Sequence, residues 1–322
     1  MKALIFEHFG GPEVLRYADL PDPELEPGTV WVRMKAIGLN FADIYRRRGD
    51  YHLAGQAPYI LGYEGAGIVE RVAEDVKTVE VGDRIAFADV PYANAELVKV
   101  GIDHIIPLPD DITFEQSAAL LLQGLTAHYL VNDSYSVQPG DEIVIHAAAG
   151  GVGQLLTQLA KAKGARVLGL TSSPAKREAA LSAGADEVLL YDSDWANAAI
   201  RWSYDGQGVN AVYDSVGSTL MGSFKATKIK GSVVFYGMAG GNPPHIDPRM
   251  LMDTSKTLTG GDLWNHIVTR SNRVERSEKL FEAIRQGHLK MEEPKSFPLR
   301  EGAEAHRLLE SRSSTGKILL IP

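Results

Sequence analysis

Residues 141–173 read DEIVIHAAAGGVGQLLTQLAKAKGARVLGLTSS, and this stretch decides the fold. The apolar run at 143–146 predicts a short buried strand, residues 147–153 form a turn of small side chains, and 154–163 have the pattern of a helix. A second apolar run at 166–170 completes a β-turn-α-β unit. Glycines at such a turn let the backbone approach a pyrophosphate, and the helix N-terminus offers unpaired N–H groups to it. The segment therefore predicts a dinucleotide-binding site.

The glycine pattern of this turn departs from the usual fingerprint. Against G-x-G-x-x-G it places Ala148, Gly150 and Gly153, so the first glycine is missing. Taken alone, the motif also fits a glycine-rich turn that binds nothing. The strand before it, the helix after it and a second strand within about thirty residues favour the dinucleotide interpretation.

The end of the second strand indicates which dinucleotide is bound. NAD sites usually carry an Asp or Glu there for the ribose 2′-OH, whereas a 2′-phosphate needs a cation. No acidic residue occurs at 143–177, and the hydroxyls at 171–173 are followed by Lys176. Hydroxyls and a lysine suit a phosphate group, although Lys176 also fits the solvated face of a helix. The segment thus favours NADPH over NADH.

Composition limits the classes of protein to which the chain can belong. Its 322 residues exceed the usual single-domain length and predict two domains. A net charge of −8 gives no basic footprint for nucleic acid or for an anionic membrane. No apolar run is long enough to span a membrane and no signal peptide is recognisable, so we expect a cytoplasmic protein. Cysteine is absent, which excludes disulfides, thiolate catalysis and cysteine-bound zinc.

Strand and helix patterns alternate only in the middle of the chain. Six short strands with five intervening segments predict a doubly wound parallel sheet. The strands are expected at 143–146, 166–170, 187–190, 209–214, 232–236 and 256–259, and helices at 154–163, 175–183, 195–202 and 221–229. The first 120 residues carry short strands between turn signals and predict a mainly β domain, which a terminal strand at 317–321 is expected to rejoin. We therefore expect an α/β protein with residues 1–123 and 264–322 in one domain and 124–263 in a dinucleotide-binding domain.

Seven short motifs occur in order along the chain. They are AxGxNxxD at 36–43, GYEGAG at 62–67, VGDRI at 81–85, QGLTA at 123–127, HAAAGGVG at 146–153, DSVG at 214–217 and LESR at 309–312. With these motifs the chain resembles the zeta-crystallin-type quinone oxidoreductases of the medium-chain dehydrogenase/reductase superfamily. The resemblance implies a split GroES-like catalytic domain, an inserted Rossmann domain, NADPH as the cofactor and a homodimer or a higher assembly.

The zinc ligands of related alcohol dehydrogenases are missing from the matching positions. Those enzymes carry a cysteine at the position of Asn40 and a histidine at that of Tyr63, and the nine histidines of this chain show no ligand spacing. We therefore expect no metal site. Without a Lewis acid, the acceptor must take hydride with little polarisation of its carbonyl group. Quinones and conjugated enones meet that condition, whereas simple ketones do not.

The resemblance also implies a small set of catalytic residues. In similar enzymes the residue matching Asn40 lies beside the nicotinamide, and those matching Tyr45 and Tyr51 line the substrate cleft. Tyr51 is expected to donate a hydrogen bond or a proton to the developing oxyanion; the alternative is an ordinary loop aromatic. Asp43 is expected to hold its loop through backbone hydrogen bonds.

Further positions are expected to contact NADPH. The glycine turn and Thr126 match pyrophosphate contacts of similar enzymes, and the segments after the later strands match adenosine, 2′-phosphate and nicotinamide-side contacts. Arg312 comes from the C-terminal segment, and its alternative is an exposed helix end. The cofactor set implied by the resemblance is Asn40, Thr126, Gly150, Gly151, Val152, Ser172, Lys176, Tyr191, Ser215, Tyr236, Gly237 and Arg312.

Three functions are compatible with the sequence. The first is an NADPH-dependent quinone reductase, and the second is an NADPH-dependent reductase of activated C=C bonds in enoyl thioesters, alkenals or enones. A basic patch for coenzyme A would favour the second, and the arginines at 46–48 are a candidate, although such a run is more often solvated. The third is a non-catalytic, crystallin-like protein that binds NADPH or RNA. The acidic charge balance argues against RNA.

Overall fold

The chain folds into two compact units. The computed structural model describes residues 1–191, 194–311 and 313–322. The first unit comprises Met1–Leu122, Ile267–Phe281 and Glu292–Pro322, and the second comprises Gln123–His266 and Glu282–Met291. The domain boundaries expected from the sequence remain a prediction.

The helices and strands are numbered in chain order. The strands are β1 (Lys2–Phe6), β2 (Arg16–Asp19), β3 (Thr29–Leu39), β4 (Tyr59–Ile60), β5 (Gly65–Val72), β6 (Arg84–Phe87), β7 (Leu97–Gly101), β8 (Ile106–Pro107), β9 (Glu142–Ile145), β10 (Arg166–Thr171), β11 (Glu187–Leu190), β12 (Val209–Asp214), β13 (Thr227–Phe235), β14 (Thr257–Gly260), β15 (Lys295–Pro298) and β16 (Ile318–Ile321). The α-helices are α1 (Phe41–Arg48), α2 (Phe114–Tyr129), α3 (Gly151–Ala162), α4 (Pro174–Ser182), α5 (Trp195–Trp202), α6 (Leu220–Ala226), α7 (Pro248–Thr254), α8 (Arg270–Arg285) and α9 (Gly302–Glu310). None of these helices is long and apolar enough to cross a membrane.

The second unit is built on six parallel strands. Their order across the sheet is β11-β10-β9-β12-β13-β14, and every neighbouring pair runs parallel. The chain moves outward from β9 in both directions, so the carboxyl ends of β9 and β12 flank the point at which the strand order reverses. This arrangement confirms the doubly wound parallel sheet predicted from the sequence.

Most elements of this sheet lie where the sequence placed them. The bounds of β11, α5 and β12 are those predicted, whereas α3 begins at Gly151, three residues before its predicted start. The prediction of a helix at 221–229 is wrong after Ala226, because β13 begins at Thr227. The β-branched side chains of Thr227 and Ile229 favour the strand.

The first unit contains two sheets. One has the order β15-β16-β3-β5-β6-β8, with β7 also paired to β3, and the other has the order β2-β1-β4. Strand β16 runs antiparallel to β3 with Leu319 opposite Gly38, which confirms that the terminal strand rejoins the β domain. The core includes the fully buried side chains of Val30, Val32 and Phe87.

Candidate functional site

The turn after β9 leads directly into α3. Gly150 is the N-cap of α3, and its N–H donates to the carbonyl oxygen of Ala147 at 2.8 Å. Ala147 has φ +48°, a left-handed conformation that alanine rarely adopts. A Cβ atom at Gly153 would lie 2.3 Å from the Ala147 carbonyl oxygen, and one at Gly151 would lie 1.9 Å from Oε1 of Gln123. Packing within the second unit therefore requires glycine at 153, where the clash is with backbone, whereas a side chain at 151 would displace the end of Gln123.

The N-terminus of α3 has the properties of an anion-binding site. Among the residues that the structure describes, no side chain caps it, and its first turn contains no acidic residue. The first N–H groups of a helix have no partner within it, and the helix dipole favours negative charge at this end. A pyrophosphate suits these properties, so the residues present fit a dinucleotide. The structure places Gly150, Gly151 and Val152 at this terminus.

Three of the expected cofactor residues follow the next strands of the sheet. Ser172 lies just after β10 and is exposed, and Lys176 is half-buried in the first turn of α4. That first turn contains no acidic residue, so nothing in it repels a phosphate. Tyr191 follows β11 and is half-buried, and its hydroxyl oxygen accepts the N–H of Ala147 at 2.9 Å. A hydroxyl and a lysine suit a ribose that carries a 2′-phosphate better than one with a free 2′-OH.

The loops after β12 and β13 contact each other. Ser215 follows β12, and its carbonyl oxygen accepts the N–H of Ala239 at 3.0 Å. A Cβ atom at Gly237 would lie 3.0 Å from the same oxygen, and Tyr236 beside it is half-buried. The expected residues of the second unit that follow strands thus lie at the carboxyl edge of one parallel sheet, where ligands of such sheets bind.

Thr126 and Arg312 are also expected to contact the cofactor. Thr126 lies within α2 and is largely buried. Arg312 lies outside the described residues. Contact of either residue with NADPH therefore stays a prediction.

Asn40 is the N-cap of α1 in the first unit, and its side chain is held by three partners. Its Nδ2 donates to Oε2 of Glu64 at 2.9 Å and to the carbonyl oxygen of Gly38 at 3.3 Å, and its Oδ1 accepts Nζ of Lys317 at 2.8 Å. Its backbone N–H donates to Oδ2 of Asp43 at 2.9 Å, which gives Asp43 the loop-holding contact expected from the sequence. The orientation of the Asn40 amide is therefore fixed.

Glu64 joins four segments of the first unit. Its carboxylate accepts Nζ of Lys317 at 2.6 Å and the N–H of Leu122 at 2.7 Å, besides the amide of Asn40. Glu64 is fully buried and Lys317 is 5% exposed, so the two form a buried ion pair. A Cβ atom at Gly38 would lie 2.2 Å from Oε2 of Glu64, which explains the glycine in the Asn40 loop.

The two tyrosines expected to line the substrate cleft lie on and just after α1. Tyr45 is half-buried, with its ring 5.8 Å from that of Phe41. Tyr51 is also half-buried, with its ring 3.9 Å from His52 and 5.1 Å from the guanidinium of Arg46. A cation over the ring face stabilises this arrangement. Tyr51 is therefore positioned by its neighbours.

The three arginines at the end of α1 do not form a basic patch, nor a solvated face. Arg46 is 1% exposed and Arg47 is fully buried, and only Arg48 is largely exposed. Arg47 lies 2.8 Å from Nδ1 of His306 and donates to Glu310 at 2.5 Å, and Glu310 also pairs with Arg48 at 2.7 Å. Both interpretations of this run are wrong, because the buried His306 and the partly exposed Glu310 of α9 hold Arg47.

Comparisons with known proteins identify the family. Residues 151–280 match the family described as Zinc-binding dehydrogenase, and residues 26–142 match the Alcohol dehydrogenase GroES-like domain. The quinone oxidoreductase of Pseudomonas aeruginosa is 39% identical over 324 residues, which cover 100% of this chain and 99% of that protein. The chain belongs to the quinone oxidoreductase family. The resemblance stated from the sequence motifs is thereby confirmed.

Two further relatives are similar to the chain over nearly its whole length. The structure of the Escherichia coli quinone oxidoreductase complexed with NADPH has a TM-score of 0.96 at 36% identity and covers all of both chains. The 2-haloacrylate reductase of a Burkholderia species is 34% identical, over 99% of this chain and 98% of that protein. The expected combination of a GroES-like domain with a Rossmann-type domain is confirmed.

Zinc does not fit the residues at the positions that match the zinc ligands of alcohol dehydrogenases. Oδ1 of Asn40 already accepts a lysine ammonium. The hydroxyl of Tyr63 accepts the N–H of Ala54 at 3.2 Å, and burial raises the pKa of Tyr63, which keeps the phenol neutral. An amide and a neutral phenol are poor substitutes for the thiolate and imidazole ligands of zinc. In the part of the chain that the structure describes, no cluster of three or more His, Asp or Glu side chains is placed to hold a metal ion.

Sequence reasoning gave no role to two residues of the Asn40 site. Glu64 lies within the GYEGAG motif, and Lys317 directly precedes the apolar strand β16. A carboxylate among glycines and a lysine beside an all-apolar strand are the signals available, since charged side chains are rarely buried unless paired. Neither signal identifies the partner, because Glu64 and Lys317 are 253 positions apart.

Proposed function

We propose that the chain is an NADPH-dependent quinone oxidoreductase that reduces quinones by direct hydride transfer without a metal ion. The observation that carries the proposal is the uncapped N-terminus of α3, which lies at the carboxyl edge of the parallel sheet. The chain that contains it is similar over its full length to quinone oxidoreductases. One such relative is solved in complex with NADPH. When bound, NADPH supplies the hydride.

The residues of the chain bind and orient the cofactor. The first N–H groups of α3 hold the pyrophosphate. Ser172 and Lys176 hold the 2′-phosphate and so select NADPH over NADH. Asn40 orients the reacting groups rather than transferring a proton, because its Nδ2 hydrogens are already donated to Glu64 and to the Gly38 carbonyl.

Two tyrosines bind and polarise the acceptor. Tyr45 and Tyr51 line its binding site, and the Tyr51 hydroxyl donates to the oxygen on which negative charge develops. Donors that are already oriented cost little reorganisation in the transition state. The contacts of Tyr51 with His52 and Arg46 give it that orientation. Quinones accept hydride without a Lewis acid, which agrees with a donor set that does not suit zinc.

A second candidate function is the reduction of activated C=C bonds. The specific observation in its favour is the 34% identity to a 2-haloacrylate reductase over 99% of the chain. The burial of Arg46 and Arg47 argues against a coenzyme A patch at α1, so small enones and haloacrylates are better candidates than thioesters.

The acceptor is decided by one assay. NADPH oxidation is followed by its near-ultraviolet absorbance with 1,4-benzoquinone, 9,10-phenanthrenequinone, an alkenal, 2-chloroacrylate and crotonyl-CoA, each repeated with NADH. Turnover of the quinones with NADPH preferred supports the first function. Turnover confined to the alkenal, haloacrylate or thioester supports the second. Binding of NADPH without turnover of any acceptor leaves a non-catalytic protein and contradicts both.

We also propose a homodimer, as the family resemblance implies. Strand β14 lies at the edge of the six-stranded sheet, and an edge strand presents unpaired backbone groups to a second copy. Light scattering on the purified protein tests this: a monomer mass at micromolar concentration contradicts it.

We further propose a cytoplasmic location, which cell fractionation tests.

A further inference from the structure

A chain of buried hydrogen bonds connects strand ends of the second unit. It runs through Tyr191, His146, Ser223 and Asp214, which we call the His146 relay. The Tyr191 hydroxyl lies 3.1 Å from Nδ1 of His146, Nε2 of His146 lies 3.1 Å from Oγ of Ser223, and that Oγ lies 2.7 Å from Oδ2 of Asp214. The last three residues are fully buried.

The direction of every proton in the relay follows from its acidic end. Burial alone would raise the pKa of Asp214, but hydrogen bonds from Ser223 and from two backbone N–H groups lower it, so the carboxylate only accepts. Ser223 therefore donates its single proton to Asp214, and its oxygen accepts Nε2–H of His146. Burial lowers the pKa of His146, so the ring is neutral and Nδ1 accepts the Tyr191 hydroxyl proton.

The Tyr191 end of the relay holds the pyrophosphate turn. The Tyr191 oxygen accepts the N–H of Ala147 at 2.9 Å. Ala147 has the left-handed backbone conformation described above, which persists only when its surroundings fix it. Its carbonyl oxygen accepts the N–H of Gly150, the N-cap of α3. A shift of Tyr191 would therefore move the start of α3.

The Asp214 end holds the loop after β12. Oδ1 of Asp214 accepts the N–H groups of Val216 at 2.8 Å and Gly217 at 3.0 Å, and the Thr219 hydroxyl donates to both carboxylate oxygens. These contacts enclose Ser215, one of the residues expected to contact NADPH. The same carboxylate thus fixes this loop and ends the relay.

We propose that His146 is a positioning residue for the dinucleotide, which sets the pyrophosphate turn and the β12 loop in register through Tyr191 and Asp214. This inference rests on the proposed function, since it assigns the relay to the cofactor site. The alternative is a histidine that only fills space in the core, edge-on against Trp195 at 5.0 Å.

A double-mutant cycle separates the two roles. Tyr191→Phe and Ser223→Ala each remove one hydroxyl at opposite nitrogens of the same ring, and NADPH dissociation constants are measured by nucleotide fluorescence. Loss of one neutral hydrogen bond predicts about two- to tenfold weaker binding for each single variant. The double variant is expected to bind no more weakly than the weaker-binding single variant, because either substitution alone already interrupts the chain of hydrogen bonds. A space-filling His146 predicts instead that Ser223→Ala leaves NADPH binding unchanged, or that the two effects multiply.

The control is Ser203→Ala, which removes another buried hydroxyl of the second unit, bonded to Ile200 and Gly208. It is expected to leave the NADPH dissociation constant unchanged. Nitrogen-15 NMR of the wild-type histidines gives a readout independent of binding, with His146→Gln used for assignment: the relay requires Nε2–H, and Nδ1–H overturns it. Wild-type protein that does not bind NADPH overturns the proposed function itself, whereas wild-type binding with multiplying effects overturns the relay alone.

Discussion

Lys317→Met removes the ammonium that neutralises the buried carboxylate of Glu64. The two groups lie 2.6 Å apart, with Glu64 fully buried and Lys317 5% exposed. Removing one partner of a buried ion pair costs about 3–5 kcal/mol, because the other charge is left uncompensated. At about 2–4 °C per kcal/mol for a domain of 150–250 residues, the melting temperature of the first unit should fall by about 6–20 °C.

The design includes the repaired pair and a surface control. The double variant Lys317→Met with Glu64→Gln should recover most of the loss, since no unpaired charge remains. Lys35→Met changes an exposed lysine of β3 in the same way and should shift stability by no more than about 0.5 kcal/mol. Circular dichroism melts of all four proteins give the comparison. A Lys317→Met melt indistinguishable from that of Lys35→Met would refute the buried ion pair.

The same variants separate stability from activity. Lys317 donates to Oδ1 of Asn40, so both variants that lack it should lose NADPH oxidation with 1,4-benzoquinone. The double variant is therefore expected to regain stability without regaining turnover. Recovery of both properties together would show that Lys317 does not orient the Asn40 amide.

Three further predictions concern cofactor choice, proton donation and pH. Lys176→Ala should raise the dissociation constant of NADPH about tenfold or more and leave that of NADH unchanged, because a charge-assisted contact of about 1.5–3 kcal/mol is lost; titrations with both nucleotides check this, and equal effects rule out the 2′-phosphate role. Tyr51→Phe should lower kcat for quinones while leaving NADPH binding intact, and an unchanged kcat in steady-state assays leaves Tyr51 as a packing residue. Burial, reinforced by Arg47, lowers the pKa of His306 to about 3, whereas the unfolded chain takes up this proton near 6.5. The stability that His306 contributes is therefore complete above pH 6.5 and is lost at about 1.4 kcal/mol per pH unit as the pH falls toward 3. Urea unfolding across this range should show a slope smaller by about 1.4 kcal/mol per pH unit in His306→Gln than in the exposed control His245→Gln; equal slopes in the two variants contradict the buried neutral ring.

Local sequence was sufficient for much of the second unit. The apolar runs of β9 and β10 are short, continuous and bounded by turn residues, and α4 and α5 have clear starts and ends. Before β9, the strands β1 and β2 and the helix α2 were not recognised. The apolar residues of α2 lie around most of the helix, as they do in a buried helix, so no periodic stripe marks them.

Contacts between residues that are far apart in the sequence could not be predicted from local sequence. The position of Asn40 follows from a motif, but the orientation of its amide depends on Lys317, 277 positions later. The arginine run of α1 looked solvated because Arg47 meets His306 only in the folded chain, across 259 positions. Burial of charged groups is a property of such pairs, and a single sequence does not show which charges meet.

The most direct measurement is NADPH oxidation by exhaustively chelated protein with 1,4-benzoquinone as the acceptor. We expect turnover that is unaffected by chelation, faster with NADPH than with NADH, and slowed by deuterium at the transferred position of the nicotinamide. No turnover, or turnover that requires added zinc, would contradict metal-independent hydride transfer to a quinone.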